Sequence, residues 1–148
     1  MDEDDFVKMV EDLQKKIEYE EEATYSQTVI REYRNPSNFG MIENPDAFGE
    51  VKGPCGDIMK ISLRIEDRKI RDACFWTDGC GATIACGSIL TKIIKGKTPQ
   101  EANDISSSQL LEALEGLPIE HHHCIILAIN ALQKAIKNYN EKNFLVKK

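Results

Sequence analysis

Three cysteines in three unusual settings hold the reactive chemistry of this 148-residue chain. Cys55 stands in Gly53-Pro54-Cys55-Gly56-Asp57, Cys80 in Asp78-Gly79-Cys80-Gly81, and Cys124 closes the run His121-His122-His123-Cys124. Thiolates with imidazole or carboxylate as minor partners are the donors that zinc and iron–sulfur centres accept. Gly53, Pro54 and Gly56 let the chain turn sharply, so that the Cys55 sulfur and the Asp57 oxygens can approach one ion. Cys80 falls at a strand-to-helix junction and Cys124 in the first turn of the last helix. Both positions face the positive end of a helix, which favours thiolate over thiol and predicts accessible, low-pKa sulfurs. A thiolate of that kind can ligate a metal, and it can equally accept a sulfur atom from a donor enzyme. The three thiols and Asp57 are therefore expected to converge on one soft-metal site.

Spacing leaves the histidine partner open. If the last helix has begun by residue 121, His121 and Cys124 share a face at i, i+3; if the turn is still open, His123 can swing beside Cys124. The other two cysteines are set aside. Cys74 lies in mid-strand, and Cys86 is six residues beyond Cys80 on the same predicted helix, roughly 120° around its axis.

Positioning these groups requires an α+β fold. Met59, Ile61, Leu63 and Ile65 alternate with Lys60, Ser62 and Arg64, so 57–65 reads as a strand with one apolar face. Residues 69–77 read as its antiparallel partner after a turn at 66–68, and 47–52 as a short third strand. The second strand carries bulk on both faces, Ala73 and Phe75 on one and Cys74 and Trp76 on the other. A cover is expected there, supplied by the N-terminal helix or by a second subunit in a homo-oligomer. Helices follow: one to Lys95 with Gly96 closing it, two short ones opened by capping boxes at Thr98-Pro99-Gln100-Glu101 and Ser106–Gln109, and a last one from about His121 to Tyr139. This is a small three-stranded antiparallel sheet with helices packed on one face. Ahead of it, residues 25–33 read as a helix ended by Asn35-Pro36. Residues 1–22 read as an acidic amphipathic helical extension with the stripe Phe6, Met9/Val10, Leu13, Ile17, either surface-docked or partly frayed, or in a sharper reading a partner-docking helix. The organisation is thus 1–22 extension, 23–140 main domain, 141–148 lysine-rich tail.

Bulk properties restrict the function classes. The net charge is −6, and residues 1–22 hold ten acids against three lysines, leaving the remainder near +1. That balance argues against a nucleic-acid partner. No apolar run approaches the ~20 residues that span a bilayer, and the acidic start is the opposite of a signal peptide. Five cysteines without a CxxC pair suit reduced thiols in a reducing compartment, and the cytoplasm is the expected location.

From Tyr25 onward the motifs resemble a known family. Tyr25-Ser26, Glu32-Tyr33, Asn35-Pro36, Gly53-Pro54-Cys55-Gly56-Asp57, Asp78 through Ala85, Lys95-Gly96-Lys97-Thr98, Leu117-Pro118 and His123-Cys124 occur in the order found in IscU-type scaffolds of iron–sulfur cluster assembly, whose domain also forms the N-terminal part of NifU proteins. The resemblance implies an assembly platform without small-molecule turnover. It implies a cysteine desulfurase as sulfur source, with Cys124 as first persulfide acceptor, and an iron donor or frataxin-like protein. A [2Fe–2S] cluster would form on Cys55, Cys80 and Cys124 with Asp57 or His123 as the non-thiolate ligand, and would pass to apo-proteins. His123 is favoured over His121 by this resemblance alone, Asp57 is implied in keeping the cluster labile, and the same site can hold zinc. Three departures stand out: Leu117-Pro118-Ile119-Glu120-His121 replaces the family's Leu-Pro-Pro-Val-Lys motif, the acidic helix is an addition, and Cys86 is extra. The first speaks against dedicated Hsp70-type chaperone handling. The alternative function is a zinc-dependent sulfurtransferase-type sulfur acceptor for a desulfurase; the long insertion that marks the zinc-dependent SufU branch is missing between Cys80 and Cys124.

Overall fold

The computed structural model describes residues 2–146. Helix α1 (Glu3–Thr24) and α2 (Gln27–Arg34) precede three strands, β1 (Ala47–Lys52), β2 (Ile58–Glu66) and β3 (Lys69–Thr77). Helices α3 (Gly81–Ile94), α4 (Pro99–Asn103), α5 (Ser107–Ala113) and α6 (His122–Val146) follow, α6 entered through a single 3-10 turn at Ile119–His121. The strands form one antiparallel sheet in the order β1-β2-β3, as the alternation predicts for an α+β fold.

The alternating apolar residues of β2 decide which face is buried. Met59, Ile61 and Leu63 are fully buried, and their cross-strand partners on β3 include Phe75 opposite Ile61 and Ala73 opposite Leu63. A register shift between Arg64 and Ile65 ends the clean alternation, and Ile65 is only half-buried. Helices α3 and α6 cover this face, and two glycines let them come close. A Cβ on Gly49 of β1 would stand 2.4 Å from the Ala135 backbone nitrogen and 2.5 Å from the Ala131 carbonyl oxygen, so α6 rests its backbone on the strand. A Cβ on Gly87 of α3 would fall 2.3 Å from the Phe75 ring. The small buried residues Ala128, Ala131 and Ala135 on α6 serve the same close approach.

The segment before β1 lines the edge of the sheet and reaches onto its opposite face. Residues 38–40 extend the outer edge of β3: Gly40 N–H donates to the Phe75 carbonyl at 2.7 Å, and Phe75 N–H to the Asn38 carbonyl at 2.9 Å. Ile42 N–H then donates to the hydroxyl of Ser62, which is fully buried. Trp76 is half-buried, with the Lys60 ammonium 4.9 Å from its ring centre.

Helix α1 does not supply the expected cover. It is continuous from its Asp2 cap to Thr24 and buries no residue, so its apolar stripe is not docked on this chain. Phe6, Met9, Val10, Leu13 and Ile17 all remain exposed. Its attachment is at the C-terminal end, where Glu21 pairs with Arg34. Helix α6 runs past Tyr139 to Val146, because no glycine or proline follows Pro118 to stop it. Both capping boxes form as their residues predict, and Gly96 takes a φ of 87° just after α3. Among the described residues no helix is long and apolar enough to cross a membrane.

Candidate metal centre

Three junctions meet at one end of the sheet. The β1–β2 turn is closed by Gly53 N–H donating to the Asp57 carbonyl at 2.7 Å and Gly56 N–H to the Gly53 carbonyl at 3.0 Å, with Gly56 at φ 88°. This turn presents Cys55 to solvent and leaves Asp57 half-buried. It is tied to the next junction by Asp78, whose carboxylate accepts the Ile58 N–H at 2.8 Å, and by the Thr77 hydroxyl, which donates to the Ile58 carbonyl at 2.6 Å. Cys80 then occupies the cap position of α3. The third junction is the turn into α6, held by His122 Nε2 donating to the Leu117 carbonyl at 2.8 Å.

The donor atoms come together as follows. Cys80 Sγ, Cys124 Sγ and a ring nitrogen of His121 lie within 4.8 Å of one another. Thr83, fully buried one turn into α3, links the sulfurs: its hydroxyl donates to Cys124 Sγ at 3.2 Å and lies 3.7 Å from Cys80 Sγ. His123 Nε2 is 3.6 Å from Cys124 Sγ and 3.7 Å from Cys55 Sγ. The two histidines that spacing left as alternatives thus stand beside the same sulfur, one toward Cys80 and one toward Cys55. Cys74 and Cys86 lie elsewhere: Cys74 is half-buried on β3 and Cys86 is enclosed in the core.

The electrostatics divide the thiols. Burial would raise Cys80, but hydrogen bonds from the Thr83 backbone and hydroxyl and from the Ala82 N–H hold it below the ordinary thiol range, as a helix N-terminus should. Cys124 departs from the expectation of an accessible thiolate. It is fully buried, and burial pushes it up to about 11 against the Thr83 hydrogen bond, with the charges of Cys80 and Asp57 acting in the same direction as burial. Packing of the first turn of α6 into the core outweighs the helix end. Cys86 and Cys74 are both raised, chiefly by desolvation.

Motif positions flag Tyr25, Asp78 and Thr83 without saying what they hold. Tyr25, the residue closing α1, places its hydroxyl 3.0 Å from His121 Nε2. Burial raises the Tyr25 hydroxyl, with the Cys80 and Cys124 charges adding, so it stays protonated. Thr83 and Asp78 lie inside the quoted Asp78–Ala85 motif, but what they bond to depends on contacts across 41 and 20 residues. The His121 Nδ1 atom is buried without a hydrogen-bond partner. An orphaned imidazole nitrogen beside two thiols matches what a borderline-soft metal ion requires, so the residues present fit such an ion.

The model of the NifU-like N-terminal domain matches residues 24–146, leaving almost all of α1 outside. The chain is 45% identical over 120 residues to a protein of Archaeoglobus fulgidus named iron–sulfur cluster assembly scaffold protein IscU 1, covering 80% of this chain and 78% of that one. It is 43% identical over 123 residues to the Escherichia coli protein named iron–sulfur cluster assembly scaffold protein IscU, covering 80% and 95%. The fold is also that of an N-terminal NifU-like protein from Brucella abortus, with a TM-score of 0.64 and 19% identity over 79% of this chain and 94% of that one.

Proposed function

We propose that this chain, which belongs to the NifU-like N-terminal domain family, is a scaffold on which an iron–sulfur cluster is assembled and from which it is passed on. The cargo in this reading is a [2Fe–2S] cluster held by Cys55, Cys80 and Cys124, with Asp57 or His123 as the non-thiolate ligand. The observation that carries it is the meeting of Cys80, Cys124 and two imidazoles at one end of the sheet, with Cys55 beside His123.

Sulfur would arrive as a persulfide on a cysteine desulfurase. A scaffold thiolate attacks the outer sulfur, the persulfide bond moves to the scaffold, and the desulfurase thiolate leaves, so atoms and charge balance. Each transferred sulfur then needs two electrons, from ferrous iron or an external reductant, to become sulfide. Cys124 is the acceptor proposed from the family pattern; because it is buried and its pKa raised, docking of the donor must first open the His123 side. Cys80, exposed and lowered, is already suited to iron. The chain's own residues bind and release the cargo and turn over no small molecule. An iron donor such as a frataxin-like protein and apo-protein recipients complete the scheme.

Anaerobic incubation of the full chain with iron, cysteine and a desulfurase tests this reading. The expected result is visible charge-transfer absorption that moves to an added apo-ferredoxin. Persulfide relay with zinc retained and no chromophore would establish the sulfurtransferase reading in its place.

A further inference from the structure

We propose that His121 is a metal ligand of this chain, closing a three-donor site with Cys80 and Cys124 for a single borderline-soft divalent cation such as zinc or ferrous iron, and that Tyr25 holds its ring in place. The inference deepens the scaffold reading and rests on it.

Among the described residues, this is the one group of three in which every donor atom lies within 4.8 Å of the others. Metal–sulfur bonds near 2.3 Å and metal–nitrogen bonds near 2.0–2.1 Å put tetrahedral donors about 3.5–4 Å apart, so small rotations of the exposed Cys80 and half-buried His121 side chains toward buried Cys124 close the site.

Tyr25 explains how the ring is set. A metal-bound histidine characteristically donates its second N–H to an oxygen, which fixes tautomer and orientation. With the proton on Nε2, His121 donates to the Tyr25 hydroxyl at 3.0 Å, and Nδ1, buried and without a partner, keeps its lone pair. Tyr25 is itself immobilised. Its N–H donates to the Glu21 carbonyl at 2.8 Å, its ring meets Tyr33 edge-on at 6.3 Å, and the next residue, Ser26, donates its hydroxyl to the Leu114 carbonyl at 2.6 Å. The joint between α1 and α2 is therefore coupled to the metal centre, with Tyr25 as a positioning residue.

Cobalt(II) and zinc titrations of the reduced full chain, made anaerobically, test this. His121→Ala is expected to weaken cobalt binding about a hundredfold and to lose tetrahedral d–d intensity. Tyr25→Phe should weaken it about tenfold and shift the d–d bands, and His123→Ala is measured alongside as the competing imidazole. His121→Lys, the family's own residue, repeats the test should the alanine variant unfold. Ring-nitrogen NMR of the wild-type chain adds a reading independent of any variant: zinc must move a His121 nitrogen. Wild-type affinity in both His121 variants, an unmoved His121 ring, or loss of binding only in His123→Ala would each overturn the proposal. Desulfurase-driven assembly is run on the same preparations, so tight cobalt binding through His121 with no cluster formed counts against the scaffold reading alone.

Discussion

Gly49→Ala is the substitution on which the packing argument can be tested most severely. The added Cβ would stand 2.4 Å from the Ala135 nitrogen and 2.5 Å from the Ala131 carbonyl oxygen, whereas ordinary contacts begin at 3.4 Å. Both obstacles are helix backbone, so no side chain can rotate away and α6 must move by about 1 Å. Overpacking of a close-packed interior costs about 1–3 kcal/mol, and a rigid obstacle puts this case near the upper end, about 3 kcal/mol. At 2–4 °C per kcal/mol for a chain of this size, the melting temperature should fall by about 6–12 °C. Urea unfolding followed by far-UV circular dichroism should give the same loss as a shift in midpoint at constant slope. Gly53→Ala is the control, since its Cβ would make only ordinary contacts, Leu127 Cδ1 at 3.4 Å, Leu127 Cδ2 at 3.6 Å and the Asp57 carbonyl oxygen at 3.7 Å, and should cost less than about 0.5 kcal/mol. The first turn of α6 carries His123 and Cys124, so Gly49→Ala should also weaken cobalt binding well below its melting point. A Gly49→Ala protein as stable as wild type, or a Gly53→Ala protein equally destabilised, would refute the claim that α6 is seated on β1 through this glycine.

Three other outcomes follow from burial and charge. Alkylation read by mass spectrometry should label Cys55 and Cys80 first, Cys74 more slowly, and Cys124 and Cys86 only on unfolding; as pH rises from 7, Cys80 should react before Cys74, because its thiol is lowered and that of Cys74 raised. Removing residues 2–23 should change the unfolding free energy by no more than about 1 kcal/mol, since α1 buries no residue and its Glu21–Arg34 pair is at the surface; a larger loss in a denaturation curve would show that α1 supports the core. Asp57→Ala should slow transfer of an assembled cluster to apo-ferredoxin without preventing assembly, and unchanged transfer kinetics would remove Asp57 from the release step.

The parts of this structure that could be read from the sequence are those governed by neighbours within a few residues. Alternation at Met59, Ile61 and Leu63 marked a half-buried strand, and Thr98/Glu101 and Ser106/Gln109 marked helix starts, because each pattern is complete inside one turn or one strand. The end of α6 lies past the point where the apolar stripe thins at Tyr139, because an already nucleated helix propagates through residues that include no glycine or proline. A cover on the Ser62 face is legible, but its local source is not: the Ile42 N–H supplies the bond to Ser62, and a backbone donor leaves no trace in residue type. At the site, glycine-flanked cysteines announced themselves, whereas Tyr25 and Thr83 are ordinary residues until the fold puts them against His121 and Cys124. The Cys124 thiol shows the limit of local argument most clearly. Its place in a helix's first turn predicted a lowered pKa, and the core it sits in raises it.

That contrast bears on how such a site could let its contents go. Cys80 and Cys124 are carried on helices pressed against the sheet and joined through the buried Thr83 hydroxyl, so their separation is set by the core. Cys55 and Asp57 belong to an exposed turn closed by two backbone hydrogen bonds and anchored through Ile58. Moving the first pair would mean repacking the interior at a cost of several kcal/mol, whereas opening the second breaks surface hydrogen bonds worth about 1 kcal/mol each. A cargo bound across both halves would therefore be gripped on the helix side and freed from the turn side. The carboxylate on that turn is then the donor whose loss should be felt in release before it is felt in capture.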